Sequence, residues 1–224
     1  MTYHINIFKF MFSMDDHLYR VRETERLQGI WKVSSFLLLG SIVIYTWMAL
    51  LGIGSDFISE GAVTLNPIEY EHGKLWFVIG RMGYGVLFTA FILFVPSLLF
   101  YFLTGIDYWK LVVMQQVVLL VLLVERLIWI PLAVYAGLEW YVSPLSLGVI
   151  TSYITNIPWI LYFFGMISLF QVWIIWFQVK YISTLADVPK RWLLLITIIL
   201  HVIGWSFVAL FEVLNSYVVS GWIG

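Results

Sequence analysis

The chain contains no cysteine, which excludes a disulfide framework, a thiolate metal site and a thiol nucleophile. Charge is scarce too. Only 11% of the 224 residues are Asp, Glu, Lys or Arg, against about 25% in soluble domains, so there is too little polar surface to keep a soluble chain of this size in solution. The net charge of −1 supplies neither a basic field for nucleic acid nor an acidic tail. Residues 1–32 lack the apolar core and small-residue cleavage site of a signal peptide, so the first long apolar run is expected to remain in the mature protein. There is no internal repeat at solenoid spacing and no low-complexity segment.

Catalytic signatures are missing as well. His4, His17, His72 and His201 are scattered along the chain, and no His-Glu-x-x-His motif brings two of them to one zinc site. There is no Gly-x-Ser-x-Gly elbow and no Walker-type glycine loop. Glu125 and Arg126 are adjacent but lack the second glutamate of a di-glutamate intramembrane protease. The expectation is a protein that is not an enzyme and has no cofactor and no metal.

What the chain does have is apolar length. Hydrophobic residues make up 62%, with 12 Trp, 13 Tyr and 17 Phe, as suits a protein rich in interfacial aromatics. A helix needs roughly 20 apolar residues to cross the hydrocarbon core. Five stretches qualify: Val33 to Ile53, Met82 to Leu103, Leu111 to Tyr135, Trp159 to Val179, and Trp192 to Phe211. Backbone groups in hydrocarbon must be satisfied internally, which favours helices, and runs this long are not β-barrel strands. The expected fold is therefore an all-α polytopic membrane bundle of five transmembrane helices with a cytoplasmic amphipathic N-terminal helix. The segments are 1–32 interfacial, 33–211 transmembrane and 212–224 a short external tail. Ala136 to Pro158 carries only Glu139 as a charge but is broken by Ser143-Pro144, Thr155-Asn156 and Pro158. It reads as an external loop at the interface, partly re-entrant, with a sixth span as the alternative that would bring the C-terminus inside.

Basic residues set the orientation. With the N-terminus in the cytoplasm, Lys9, Arg20, Arg22, Arg26, Lys32, Lys110, Lys180, Lys190 and Arg191 lie inside, and only Lys74 and Arg81 lie outside. The outer loop from Gly54 to Gly80 is acidic, with Asp56, Glu60, Glu69 and Glu71. This places the protein in the cell membrane with its C-terminus external. At the N-terminus, Ile5, Phe8, Met11 and Phe12 recur at helical spacing and can sit in the headgroup layer. Ser13 and Asp16 then form a helix start, and Met14, Leu18 and Val21 share one face of a second, charged helix. That helix either leans on the bundle or offers a docking surface to a partner or to membrane lipid, through Phe8, Phe12, Leu18, Arg20, Arg22 and Arg26.

An ionisable group inside the bilayer is a functional candidate by default. Glu125 and Arg126 fall about 22 Å along the third span from Lys110, and His201 about 15 Å along the fifth from Arg191. Gln171 falls near the middle of the fourth. Glu125, Arg126, Gln171 and His201 are thus expected to share a depth band, with Glu125–His201 and Arg126–Gln171 as candidate pairs. The band reads as a register-fixing polar cluster, a proton or ion relay, or a contact with a partner's transmembrane helix. Gly83, Gly85 and Thr89, and Ala133 with Gly137, offer small residues for close helix packing.

The run from Asn6 to Ser13, followed by Leu18-Tyr19-Arg20-Val21-Arg22-Glu23, resembles the opening of bacterial Yip-domain membrane proteins. Met14-Asp15 departs from that pattern, since many members have a proline there. Ser168 to Trp173 and Ser183 to Ala186 are similar to the family's late spans and the loop between them. The resemblance implies a non-enzymatic accessory or scaffolding subunit that binds another membrane assembly. The implied partner is the permease or adaptor of an ABC exporter of toxins or peptides. A small transporter using the polar band, and a membrane-shaping or trafficking protein, are the other readings.

Overall fold

The computed structural model describes residues 2–4, 7, 10, 14–24, 26–55, 58–59, 65–186 and 188–223, and of 2–4, 26 and 215–223 the backbone alone. The described elements are α1 (Met14–Glu23), α2 (Ile30–Leu50), α3 (Pro67–Thr104), α4 (Tyr108–Ala136), α5 (Gly148–Ile154), α6 (Pro158–Gly165), α7 (Leu169–Leu185) and α8 (Lys190–Ile223). Two short strands, β1 (Thr2–His4) and β2 (Arg26–Gln28), complete them, with a 3-10 turn at Trp140–Val142. Among the described residues, four helices are long and apolar enough to cross a bilayer: Ile30–Leu50, Pro67–Thr104, Tyr108–Ala136 and Lys190–Leu214. The chain is an all-helical, multi-pass membrane protein.

α4 is the hub. It packs against α2, α3 and α7, while α8 closes on α6 and α7. From Leu111 to Val121 every α4 residue is buried, although a helix facing lipid on one side would show an exposed stripe. The polar members of that run are Gln115 and Gln116. The Gln116 amide donates to the Ile30 carbonyl at 2.8 Å and to Ser34 Oγ at 2.9 Å, tying α4 to the start of α2. By contrast only 22% of the apolar window of α3, and the same share of α8, is buried, so lipid is the main solvent of both.

α3 outruns the expected second span because the chain supplies a start signal. Asn66 Oδ1 accepts the Ile68 amide at 2.9 Å, and Pro67 stands at the first helical position, where its missing N–H costs nothing. Residues 67–80, expected in the outer loop, are therefore helix. α2 and α3 meet where Ser41 Oγ donates to the Gly85 carbonyl at 3.0 Å. A Cβ on Gly85 would lie 3.3 Å from the Ile42 backbone, so this glycine is the close-approach point. Gly83 faces open space and packs nothing. Gly137 ends α4 in the left-handed region at φ 61°, its amide returning to the Ala133 carbonyl. Its role is to cap the helix, not to pack against a neighbour.

The expected fourth span, Trp159 to Val179, is divided. α6 ends at Gly165 and α7 begins at Leu169. α7 has 17 residues, about 25 Å of helix, shorter than the roughly 30 Å hydrocarbon core. In place of a plain loop or a sixth span, residues 137–168 hold α5 and α6, of 7 and 8 residues, each too short to cross.

α1 lies against α7. Its Leu18 and Val21 are buried, and Asp15 pairs with Lys180 at 2.7 Å. Lys110 Nζ donates to the Arg22 carbonyl at 3.0 Å, and Tyr181 OH to the Lys110 carbonyl at 2.7 Å. β1 and β2 are parallel, in the register Thr2↔Arg26, Tyr3↔Leu27 and His4↔Gln28. Parallel pairing needs a crossover connection, and α1 supplies it. Leu18 is spent on the protein's own bundle, because its helix needs a surface on which to bury its apolar face. It is therefore unavailable as the docking residue expected from the sequence. Arg20 and Arg22 remain exposed. Phe8, Phe12 and the capping Ser13 lie outside the described residues, as do Ile5, Met11 and the Arg26 side chain.

Candidate functional site

The break between α6 and α7 leaves backbone groups that no helix satisfies, and another segment of the chain meets them. Leu147 N donates to the Ile167 carbonyl, and Leu169 N to the Leu145 carbonyl, each at 3.0 Å. Ser146 and Ser168 face each other in this antiparallel bridge. The 3-10 turn fits beneath α5 and α6 because two glycines make room. A Cβ on Gly148 would collide with the Tyr141 carbonyl, and one on Gly165 with the Tyr141 backbone. This bridge pairs backbone groups that the break leaves open.

Ser168 starts α7 by accepting the Gln171 amide on Oγ at 3.3 Å. The Ser168 hydroxyl keeps its own proton to donate, and the Glu125 carboxyl stands within hydrogen-bonding reach of it. Glu125 lies 11 residues before the end of α4, about 17 Å along the helix. The break therefore sits well below the end of α4 that carries it.

Arg126 turns to a different neighbourhood. Its guanidinium reaches the Tyr45 hydroxyl, which also meets Tyr84, and lies 5.4 Å from the centre of the Trp129 ring. Tyr45 and Tyr84 pack edge to face with centroids 4.9 Å apart. Adjacent helical residues point about 100° apart. Glu125 thus serves the α4–α7 seam while Arg126 serves the seam with α2 and α3.

His201 Nε2 and Gln178 Oε1 are 2.8 Å apart, and the His201 ring packs on Trp205 at 5.5 Å. Gln178 is ten residues beyond Ser168, about 15 Å further along α7. The four expected members therefore do not form one band. Neither Glu125–His201 nor Arg126–Gln171 forms, because α7 begins at Leu169 and Gln171 occupies its first turn instead of the middle of a span. The structure brings together Glu125, Ser168 and the backbone of Gln171, and sets His201 with Gln178 in a separate layer toward the basic end.

Ser168 was the residue not singled out, yet a signal existed. Ser168-Leu169-Phe170-Gln171 has the Ser-x-x-Gln spacing of a helix start, inside what otherwise reads as one apolar run. Among the described residues, no three His, Asp or Glu side chains converge on a metal-sized site. The chemistry available at the break is that of one carboxyl beside a hydroxyl and a helix start, able to hold or exchange a proton or to bond a polar group from a neighbour. No family model, no curated protein and no solved structure matches this chain.

Proposed function

We propose that the protein is a non-enzymatic accessory or scaffolding subunit that binds another membrane assembly, an ABC-type exporter of toxins or peptides being the first choice. The carrying observation is the filled centre of the bundle. Leu111, Val112, Val113, Met114, Val117 and Leu119 are fully enclosed around the α4 axis, so side chains occupy the place where a carrier would hold a hydrated cavity. The lipid-facing sides of α3 and α8 leave long apolar surfaces free to pack on a partner's helices. In this reading α7, completed by the α5–α6 hairpin, is the fifth crossing. The basic end faces the cytoplasm, and α8 carries the C-terminus outward across the cell membrane. The Yip-domain resemblance points the same way. The test is isolation of the tagged full chain in mild detergent after crosslinking in its own membrane. Recovery with an exporter permease or adaptor is expected, and recovery as a lone monomer overturns the proposal.

A second reading rests on the break itself. Discontinuous helices mark the binding sites of many transporters, and Glu125 faces this one. On that reading Glu125→Gln abolishes an export or resistance phenotype while the folded protein is still made at the parental level. An unchanged phenotype removes it.

A further inference from the structure

Where α1 meets the turn between α3 and α4, the basic end of the bundle has a cleft of about 240 Å³, lined by Arg22, Gly105, Ile106, Asp107, Lys110 and Leu185. Two cations converge on it. The Lys110 ammonium bonds the Arg22 carbonyl and, among the described residues, no carboxylate. The Arg22 guanidinium is exposed and has no partner among the described residues. Asp107 is the acid in the lining, and its Oδ1 caps its own helix, accepting the Trp109 and Lys110 amides at 3.0 and 3.2 Å. Neighbouring Asp15, by contrast, is already paired with Lys180. The lining thus carries two cations to one carboxylate, a net positive charge among the described residues.

Aromatic side chains mark its level. Trp31 and Trp109, both exposed, meet edge to face at 5.8 Å beside Lys110, and Tyr101 and Phe102 are exposed at the end of α3 just before the lining residues. Exposed Trp and Tyr at the end of a spanning helix sit at the headgroup layer. We infer that this cleft binds the phosphate of an anionic phospholipid, with Arg22 and Lys110 as its ligands and the aromatic rim against the acyl chains. Basic pockets at helix ends recognise lipid headgroups in this manner. The lipid also fastens α1 to the bundle, since one cation comes from each. The inference does not depend on which partner the protein serves.

The experiment is native mass spectrometry of the full chain in mild detergent. It is titrated with phosphatidylglycerol, with phosphatidylcholine of the same acyl chains, and with inorganic phosphate as competitor. Phosphatidylglycerol adducts should exceed phosphatidylcholine adducts. Arg22→Gln leaves the backbone bond from Lys110 in place, and it should lower the preference about fivefold, the worth of one interfacial cation. Arg22→Lys should retain it. Equal binding of the two lipids, an undiminished preference in Arg22→Gln, or loss in Arg22→Lys as in Arg22→Gln would overturn the inference. Displacement of the lipid by millimolar phosphate would overturn it too, by assigning the cleft to a free anion.

Discussion

Glu125 and Ser168 stand side by side although 43 positions separate them, one on the long central helix and the other capping a helix that starts part-way along it. Ser168 does two things there. Its oxygen accepts the Gln171 amide, and its hydroxyl lies beside the Glu125 carboxyl. Ser168→Ala should remove both, and loss of a helix cap costs about 1 kcal/mol, up to about 2. Thermal unfolding in detergent should show a lowered midpoint for Ser168→Ala and a smaller change for Ser168→Thr, which keeps the hydroxyl. Equal losses in the two variants would show that the hydroxyl is not what matters.

The hairpin below the break depends on two absent side chains. Gly148→Ala and Gly165→Ala each put a methyl group into the Tyr141 backbone, and overpacking of this kind costs about 1–3 kcal/mol. Gly83→Ala meets open space and serves as the control. The expected order of detergent stability is parent equal to Gly83→Ala, both above Gly148→Ala and Gly165→Ala. If all three alanines unfold together, the packing of Tyr141 against these glycines is incorrect.

At the basic end, α1 is held more by its apolar face than by its ion pair. Leu18 is 1% exposed, and truncating a buried leucine costs about 2–5 kcal/mol. The Asp15 side chain is 82% exposed, and such pairs contribute about 0–1 kcal/mol. Leu18→Ala should release α1, seen as fast amide hydrogen exchange over 14–23 with the spanning helices still protected, whereas Asp15→Asn should leave exchange there nearly unchanged. The reverse order would mean that charge, not burial, docks the helix.

The boundaries that read correctly in the sequence are those whose signals are local. The third apolar run became a helix that ends within three residues of it on either side, capped by Asp107 and by Gly137, whose part as a cap the sequence reading missed. Asn66-Pro67 carried an equally local start signal for α3, hidden because Glu69, Glu71 and Lys74 make the first turns polar, so apolar content alone places the boundary too late. The division of the fourth run was the hardest to read. Trp159 to Val179 is uncharged and mostly apolar, and only the Ser168–Gln171 spacing marks an interruption.

The candidate site was half legible for a related reason. Depth along a helix follows from residue count, and Glu125 lies where the count puts it, 11 residues before the end of α4. The side on which a neighbour stands does not follow from count. Arg126 meets Tyr45, and His201 meets Gln178, because of the rotation of α4 and the late start of α7.

Composition by itself determined the solvent of this chain. With so little charge and runs this apolar, transfer from water to hydrocarbon favours helices that satisfy their own backbones, and no tertiary contact is needed to decide it. Only the tertiary structure decided that α4 is enclosed along Leu111 to Val121, that Leu18 is buried on α1's own bundle, and that a bridge between Ser146 and Ser168 closes a broken helix. Each depends on which surfaces meet across long stretches of chain. In a bilayer, where apolar faces are nearly equivalent toward lipid and toward each other, shape and a few hydrogen bonds make that choice.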